Sequence, residues 1–244
     1  MRNPSLTLIL GVSVALALSA CSGEIDTTAI ASTPPPGATA SEVASERPSP
    51  NAGPLAGEGD YEPGTYRLTT GIATAVAYTF TVPAGWVGEN GGQTLSKHPN
   101  ETGEVGINSY IVSRIDSDSC ADEFEPIPVG PSAADLATAL TQQPGATAAE
   151  PVDINLGGYP GQRIDLTIPG ELDLAACRLE GIGLHIWEAV GGKNFVLYDG
   201  GAASVYIADV DGQRAVFSAQ WKETSTADDI AELNTIMESI ALEP

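Results

Sequence analysis

Near the C-terminus a hairpin and a helix follow each other so closely that together they fix much of what this chain can fold into. Residues 204–208 and 214–221 alternate apolar and small polar side chains, and Asp209-Val210-Asp211-Gly212 stands between them. Asp-Gly suits a tight hairpin turn, because such turns need positive φ. Thr226-Ala227-Asp228-Asp229 then reads as a capping-box pattern opening a helix. Ile230, Leu233, Ile236, Met237 and Ile240 recur along that helix at a spacing that gathers them on one face. A helix tied to a hairpin by so short a link has little freedom. Its apolar stripe must lie back across the sheet that the hairpin belongs to.

The segments upstream supply more sheet. Residues 65–69 and 76–82 read as strands, with Val76, Tyr78, Phe80 and Val82 alternating onto one face. Further strands are expected over 103–113, 149–156, 162–168, 179–187 and 195–198. Ser132-Ala133-Ala134-Asp135 predicts a second capped helix over 133–142, carrying Leu136 and Leu140 on one face and stopped by Pro144-Gly145. Gly157-Gly158-Tyr159-Pro160-Gly161 has no Lys and no following helix, so it reads as a turn and not a phosphate cradle. The fold class this predicts is α+β: a mostly antiparallel sheet with flanking helices. No internal repeat is present.

The N-terminus is of another kind. Arg2 precedes an apolar run over residues 6–18, too short to cross a bilayer comfortably, since spanning takes about 20 apolar residues. The run ends in Leu18-Ser19-Ala20-Cys21, which resembles a bacterial lipobox. That resemblance implies a signal peptide over 1–20, recognition of Leu18, Ser19 and Ala20 by a signal peptidase, and acylation of the Cys21 thiol, with palmitate among the acyl chains. One acyl chain holds a membrane marginally and two hold it stably. The chain is thus expected on the extracytoplasmic face of the cell membrane, anchored by lipid. Residues 21–62 are rich in Pro, Ala, Ser and Thr, with few large apolar side chains, and read as a disordered linker. A single domain over 63–244 is expected to follow.

Charge and cysteines narrow the function classes. The chain carries 32 acidic against 10 basic residues, a net charge of −22. It has no basic patch to meet phosphates, so nucleic-acid binding is excluded, and anionic headgroups would repel it. Apart from Cys21 there are two cysteines, Cys120 and Cys177. An even pair in an exported chain predicts a disulfide, the alternative being two free buried thiols.

Catalytic chemistry is hard to assemble from these residues. The two histidines are His98, in the polar loop around Pro99, and His185, on an expected strand. A Ser-His-Asp triad would need one of them, but G-x-S-x-G is missing. His185 and Glu188, three apart on a strand, point to opposite faces. The acidic run containing Asp116, Asp118 and Asp122 offers weak cation ligands, but it lacks the glycine and closing glutamate of a calcium loop. Trp86, Trp187 and Trp221 read as core packing, with an aromatic platform as the alternative. No catalytic residue, metal site or cofactor is assigned. The expected role is a binding or accessory module that engages an envelope protein, a glycan or a small ligand. The alternative is an envelope hydrolase working with carboxylates near His185.

Tyr78-Thr79-Phe80-Thr81-Val82-Pro83-Ala84-Gly85-Trp86, then Val210-Asp211-Gly212-Gln213-Arg214, then Met237-Glu238-Ser239-Ile240, resemble a group of secreted actinobacterial proteins. The F-x-x-P-x-G-W opening and the hairpin-helix ending also resemble the PsbP-type fold. That resemblance implies an antiparallel sheet flanked by helices and a non-catalytic accessory or binding role. It implies no functional residue.

Overall fold

The computed structural model describes residues 53–72 and 74–244. The signal segment, Cys21 and the linker up to residue 52 lie outside the described residues. In chain order the strands are β1 (Gly59–Asp60), β2 (Gly64–Leu68), β3 (Ala77–Val82), β4 (Val87–Glu89), β5 (Thr94–Lys97), β6 (Val105–Tyr110), β7 (Arg114–Asp116) and β8 (Pro126–Pro128). Helix α1 (Ala133–Gln142) follows, then β9 (Thr147–Ala148), β10 (Val152–Leu156), β11 (Tyr159–Thr167), β12 (Gly183–Glu188), β13 (Asn194–Tyr198), β14 (Gly201–Val210) and β15 (Gln213–Lys222). The chain closes with α2 (Ala227–Glu238) and β16 (Ala241–Glu243).

The expected hairpin is the centre of the molecule. β14 and β15 pair antiparallel from Gly201↔Lys222 to Val210↔Gln213. The two-residue turn is Asp211-Gly212, with φ of 47° and 85°. Both residues therefore have positive φ, the pattern of the hairpin turn whose twist matches its strands. Around this pair runs the main sheet, in the order β1-β4-β5-β6-β15-β14-β11-β10, all antiparallel, with β9 added on β11.

Alternation along β15 sends side chains to two different cores. Ala215, Phe217 and Ala219 point to one face, where they meet Val105, Ile107 and the α2 residues Leu233, Ile236 and Met237. A smaller sheet, β16-β3-β2, closes that side. Val216 points the other way, toward Val205, Ile207, Ile164 and Leu166, and α1 lays Leu136 and Leu140 against them. The β12–β13 hairpin adds Leu184, Ile186, Trp187 and Phe195 to this second core.

Both helices start as expected. Ser132 Oγ accepts from the Asp135 amide at 3.1 Å and Asp135 Oδ2 accepts from the Ser132 amide at 3.0 Å. Asp209, which stands just before the hairpin turn, adds a third cap by accepting from the Ala133 amide at 2.8 Å. At α2, Thr226 Oγ1 accepts from the Asp229 amide at 3.1 Å, but Asp229 does not reach back to the Thr226 amide. Its carboxylate instead takes the Thr226 hydroxyl at 2.6 Å and Lys97 Nζ at 2.8 Å. On the α2 stripe, Leu233, Ile236, Met237 and Ile240 are buried and Ile230 packs partly against them.

Three expectations need correction. The linker does not run to residue 62. Ala56 N donates to Arg67 O, Arg67 N donates to Pro54 O, β1 pairs with β4, and Tyr61 is buried and stacked on Tyr66 with ring centroids 4.4 Å apart. Backbone pairing and one aromatic anchor this segment, and neither leaves a periodic trace. Second, the strand expected over 179–187 starts only at Gly183, because Glu180 and Gly181 turn with φ of 46° and 89°. Third, β16 extends the fold beyond the last helix: it pairs with β3, buries Leu242 and places Glu243 on Arg67 at 2.6 Å. Gly157 makes room for it, since a Cβ there would lie 2.6 Å from the Leu242 amide. β3 is also more deeply enclosed than simple alternation implies. Ala77 and Thr79 are buried along with Tyr78, Phe80 and Val82, and Thr81 alone is exposed.

Candidate functional site

The acidic run around Cys120 is organised around one buried carboxylate and does not converge on a cation. β7 turns Asp116 inward, where its Oδ2 faces His185 Nδ1 at 3.3 Å and Arg178 at 3.5 Å. Its Oδ1 accepts from the Glu125 amide at 3.2 Å. Asp118 accepts from the Cys120 amide at 2.9 Å, closing a local turn, and Asp122 is exposed. Asp116, Asp118 and Asp122 therefore point to separate tasks. Among the described residues no three His, Cys, Asp or Glu side chains are placed to hold a metal ion.

His185 is closed in. It is 4% exposed, and its Nε2 lies 3.0 Å from Asn194 Oδ1 while Nδ1 faces Asp116. Phe124 meets the ring edge-on at 5.1 Å between centroids, and Arg178 sits over Phe124 at 5.3 Å. Both ring nitrogens are engaged by neighbours, so the ring presents no free base to solvent. Glu188, three residues on, is exposed. The lid over this cluster is tied down by a bond between Cys120 and Cys177, with S–S 2.07 Å. Behind it, Gln143 Nε2 donates to Asp116 O at 2.8 Å and Ile186 O at 2.9 Å, stitching α1 to β7 and β12. His98 stays in its exposed loop, 3.8 Å from Asp229.

The three tryptophans do not form a platform. Trp86 is fully buried in the first core and donates its Nε1 to Glu232 at 3.2 Å. Trp187 is fully buried in the second core against Tyr110 and Phe195. Trp221 packs partly against the first core.

A cleft of about 270 Å³ opens where the main sheet extends past the second core. Its floor is the face of β5, β6 and β15 that carries Thr94, Ser96, Asn108 and Gln220, and β13 forms the facing wall with Asn194, Val196 and Tyr198. Strand alternation explains this composition. On β6 and β15 the apolar residues of one face fill the first core, and polar residues alternate with them onto the other. Thr94 Oγ1 donates to Asn108 Oδ1 at 2.8 Å and receives Lys193 Nζ at 2.9 Å. Lys193 also donates to Gln93 O at 3.3 Å and lies 5.1 Å from the centre of the Tyr110 ring. Burial pushes its amine down to about 8, against the opposing pull of Glu89. At the rim, Lys222 pairs with Glu104 at 3.1 Å. Ser96 is 1% exposed, and its Oγ has no partner among the described residues. Tyr198, by contrast, is 49% exposed at the edge.

Sequence patterns do not reveal this cleft. Its residues are spread from Glu89 to Lys222 and form no motif. The available signal is the polar side chains at alternate positions of strands 103–113 and 214–221.

No family model matches the chain, and no curated protein matches it. Among solved structures, the chain is similar to the solution structure of cyanobacterial PsbP (CyanoP) from Synechocystis sp. PCC 6803, at 12% identity and a TM-score of 0.33, over 75% of this chain and 95% of that one. The architecture rests on the strands and helices themselves: a mostly antiparallel sheet with two α-helices among the described residues.

Proposed function

We propose that this chain is an exported lipoprotein, held on the outer face of a cell membrane by lipid on Cys21, and that its folded domain is a non-catalytic binding module working through the cleft between β13 and the main sheet. The observation that carries the binding role is that cleft, walled by hydroxyl and amide groups, beside a histidine that is sealed away from it. The Cys120–Cys177 bond supports an oxidising, extracytoplasmic setting. No described helix is long and apolar enough to cross a membrane, so a lipid on Cys21 would supply the attachment. Residues 22–52 would then act as a spacer between the lipid and the folded domain.

Two measurements test this reading. Cys21→Ser should abolish metabolic labelling with palmitate and either release the chain or leave its precursor uncut. Unchanged labelling and retention would refute the anchor. For the cleft, crosslinking in native membranes should capture an envelope component that Val196→Trp, which plugs the cleft, no longer captures. Equal capture by the plugged variant would refute the cleft as the binding site.

A further inference from the structure

We infer that the cleft beside β13 binds a neutral, polyhydroxylated ligand, a saccharide or polyol unit. The inference deepens the binding role proposed above and rests on it.

The charge pattern decides the class. The carboxylates at the cleft are Glu89 and Glu104. Glu104 is neutralised at 3.1 Å by Lys222, and Glu89 has no ion-pair partner among the described residues. Of the cations here, Lys222 is thus matched by a carboxylate, and Lys193 is occupied by Thr94 Oγ1 and the Gln93 carbonyl. An anionic ligand would meet two carboxylates and no free cation. A cationic ligand would meet one unpaired carboxylate, Glu89, and would have to break the Lys222–Glu104 pair to gain the other. A neutral ligand need break no pair.

The wall chemistry then selects hydroxyls over hydrocarbon. Asn100, Asn108, Asn194 and Gln220 bring amides, and Thr94 and Ser96 bring hydroxyls. Asn108 Oδ1 is taken by Thr94, Asn194 Oδ1 by His185 and Gln220 Nε2 by Ser218, which leaves the amide nitrogens of Asn108 and Asn194 and the Gln220 oxygen to meet a ligand. A sugar hydroxyl donates and accepts at once, so it is satisfied by such walls. An apolar ligand would instead cover the remaining groups without pairing them, and each stranded group has a cost. Ser96 Oγ, buried in this wall with no partner among the described residues, is a second and independent sign. Buried hydroxyls are normally hydrogen-bonded, and one left open beside a cleft points to a partner that arrives with a ligand. The half-exposed ring of Tyr198 offers the apolar face on which the C–H side of a pyranose can rest.

The test uses the full chain in detergent and calorimetric titration with three neutral probes, maltotriose, cellotriose and N,N′-diacetylchitobiose, beside inorganic phosphate and spermidine. At least one saccharide should bind saturably, and neither charged probe should compete. Val196→Trp should abolish that binding. Tyr198→Ala should weaken it about three- to tenfold, with Tyr198→Phe close to wild type, because the ring face and not the hydroxyl is used. Saccharide binding that survives Val196→Trp would overturn the inference, as would competition by phosphate or spermidine. So would failure of all three saccharides. In that last case the crosslinking comparison separates the two claims. If Val196→Trp still loses its captured component, the ligand class is wrong and the binding module stands. If it does not, both fall.

Discussion

The two sides of the main sheet are held together differently. On the first side, α2 follows β15 after a four-residue link and β16 then pairs with the distant β3, so the packing is carried by the apolar stripe of α2 and the apolar face of the β16-β3-β2 sheet. On the second side the cover is cross-stitched. α1, the β7–β8 loop and the β12–β13 hairpin are stitched by the Cys120–Cys177 bond, by Gln143 reaching Asp116 O and Ile186 O, and by Arg214 donating to Gly130 O, Ser132 O and Val112 O. One side is a hydrophobic layer of ordinary kind. The other mixes a hydrophobic layer with buried polar and charged groups, and the cleft opens at its edge. The stability of the first side should respond mainly to lost volume, and that of the second to lost crosslinks and to pH.

The largest single-residue effect is expected on the first side. Leu233 and Ile236 are fully buried between α2 and the sheet. Leu233→Ala or Ile236→Ala should each cost about 2–5 kcal/mol, as buried large-to-small changes do, measured by denaturant unfolding. A cost below about 1 kcal/mol would mean that α2 is not part of the core.

The second side should answer most to its crosslink. The bonded cysteines are 57 residues apart. Closing a loop of that size in the unfolded chain is worth roughly 4 kcal/mol in the chain-entropy view. The double variant Cys120→Ala, Cys177→Ala should lose about that much, less any native strain. Hydrogen exchange should show the loosening in residues 114–128 and 183–198, with α2 and β3 protected as before. Uniform loosening across both sides would erase the distinction drawn between them.

The same contrast explains which parts of the molecule are legible in the sequence. Strand alternation, the Asp-Gly turn and the α2 stripe are local signals, and they place the hairpin, both helices and the first core closely. Tyr61 and β16 escape such a reading because a single aromatic and a three-residue strand carry no period. The cysteine pair points to the disulfide, but nothing local says that it closes over His185. Whether an aspartate such as Asp116 lies inside or in solvent depends on which loop folds over it. The cleft is illegible for a related reason: its walls meet only after β13 is laid beside a sheet assembled from residues 94–222, and a polar side chain on a strand looks the same whether it faces water or a ligand.

Lys193 offers the finest test of the second side. Its amine is buried against the Tyr110 ring with two neutral acceptors and no carboxylate in contact, and burial holds it down to about 8 against an ordinary value of 10.5. Between those two values the unfolded chain binds the proton and the folded chain does not, so stability should rise with pH across that window. Below about pH 8 both states are protonated and the folded state bears the whole cost of a buried cation. The rise should end near pH 10, where burial keeps the Tyr78 and Tyr110 hydroxyls protonated while the unfolded chain loses those protons, a linkage of opposite sign. Between pH 8 and 10 the gain attributable to Lys193 is at most about 3 kcal/mol. Lys193→Met should flatten the pH dependence in that window. It should also leave stability at pH 7 unchanged or raised, because the relief of a desolvated charge offsets the hydrogen bonds lost to Gln93 and Thr94. Denaturant unfolding of both proteins at pH 7, 8, 9 and 10 measures this. If wild type is flat over the window, or Lys193→Met is strongly destabilised at pH 7, the amine is not a penalised buried cation. The β13 wall would then be held to the sheet by a contact that favours folding at neutral pH.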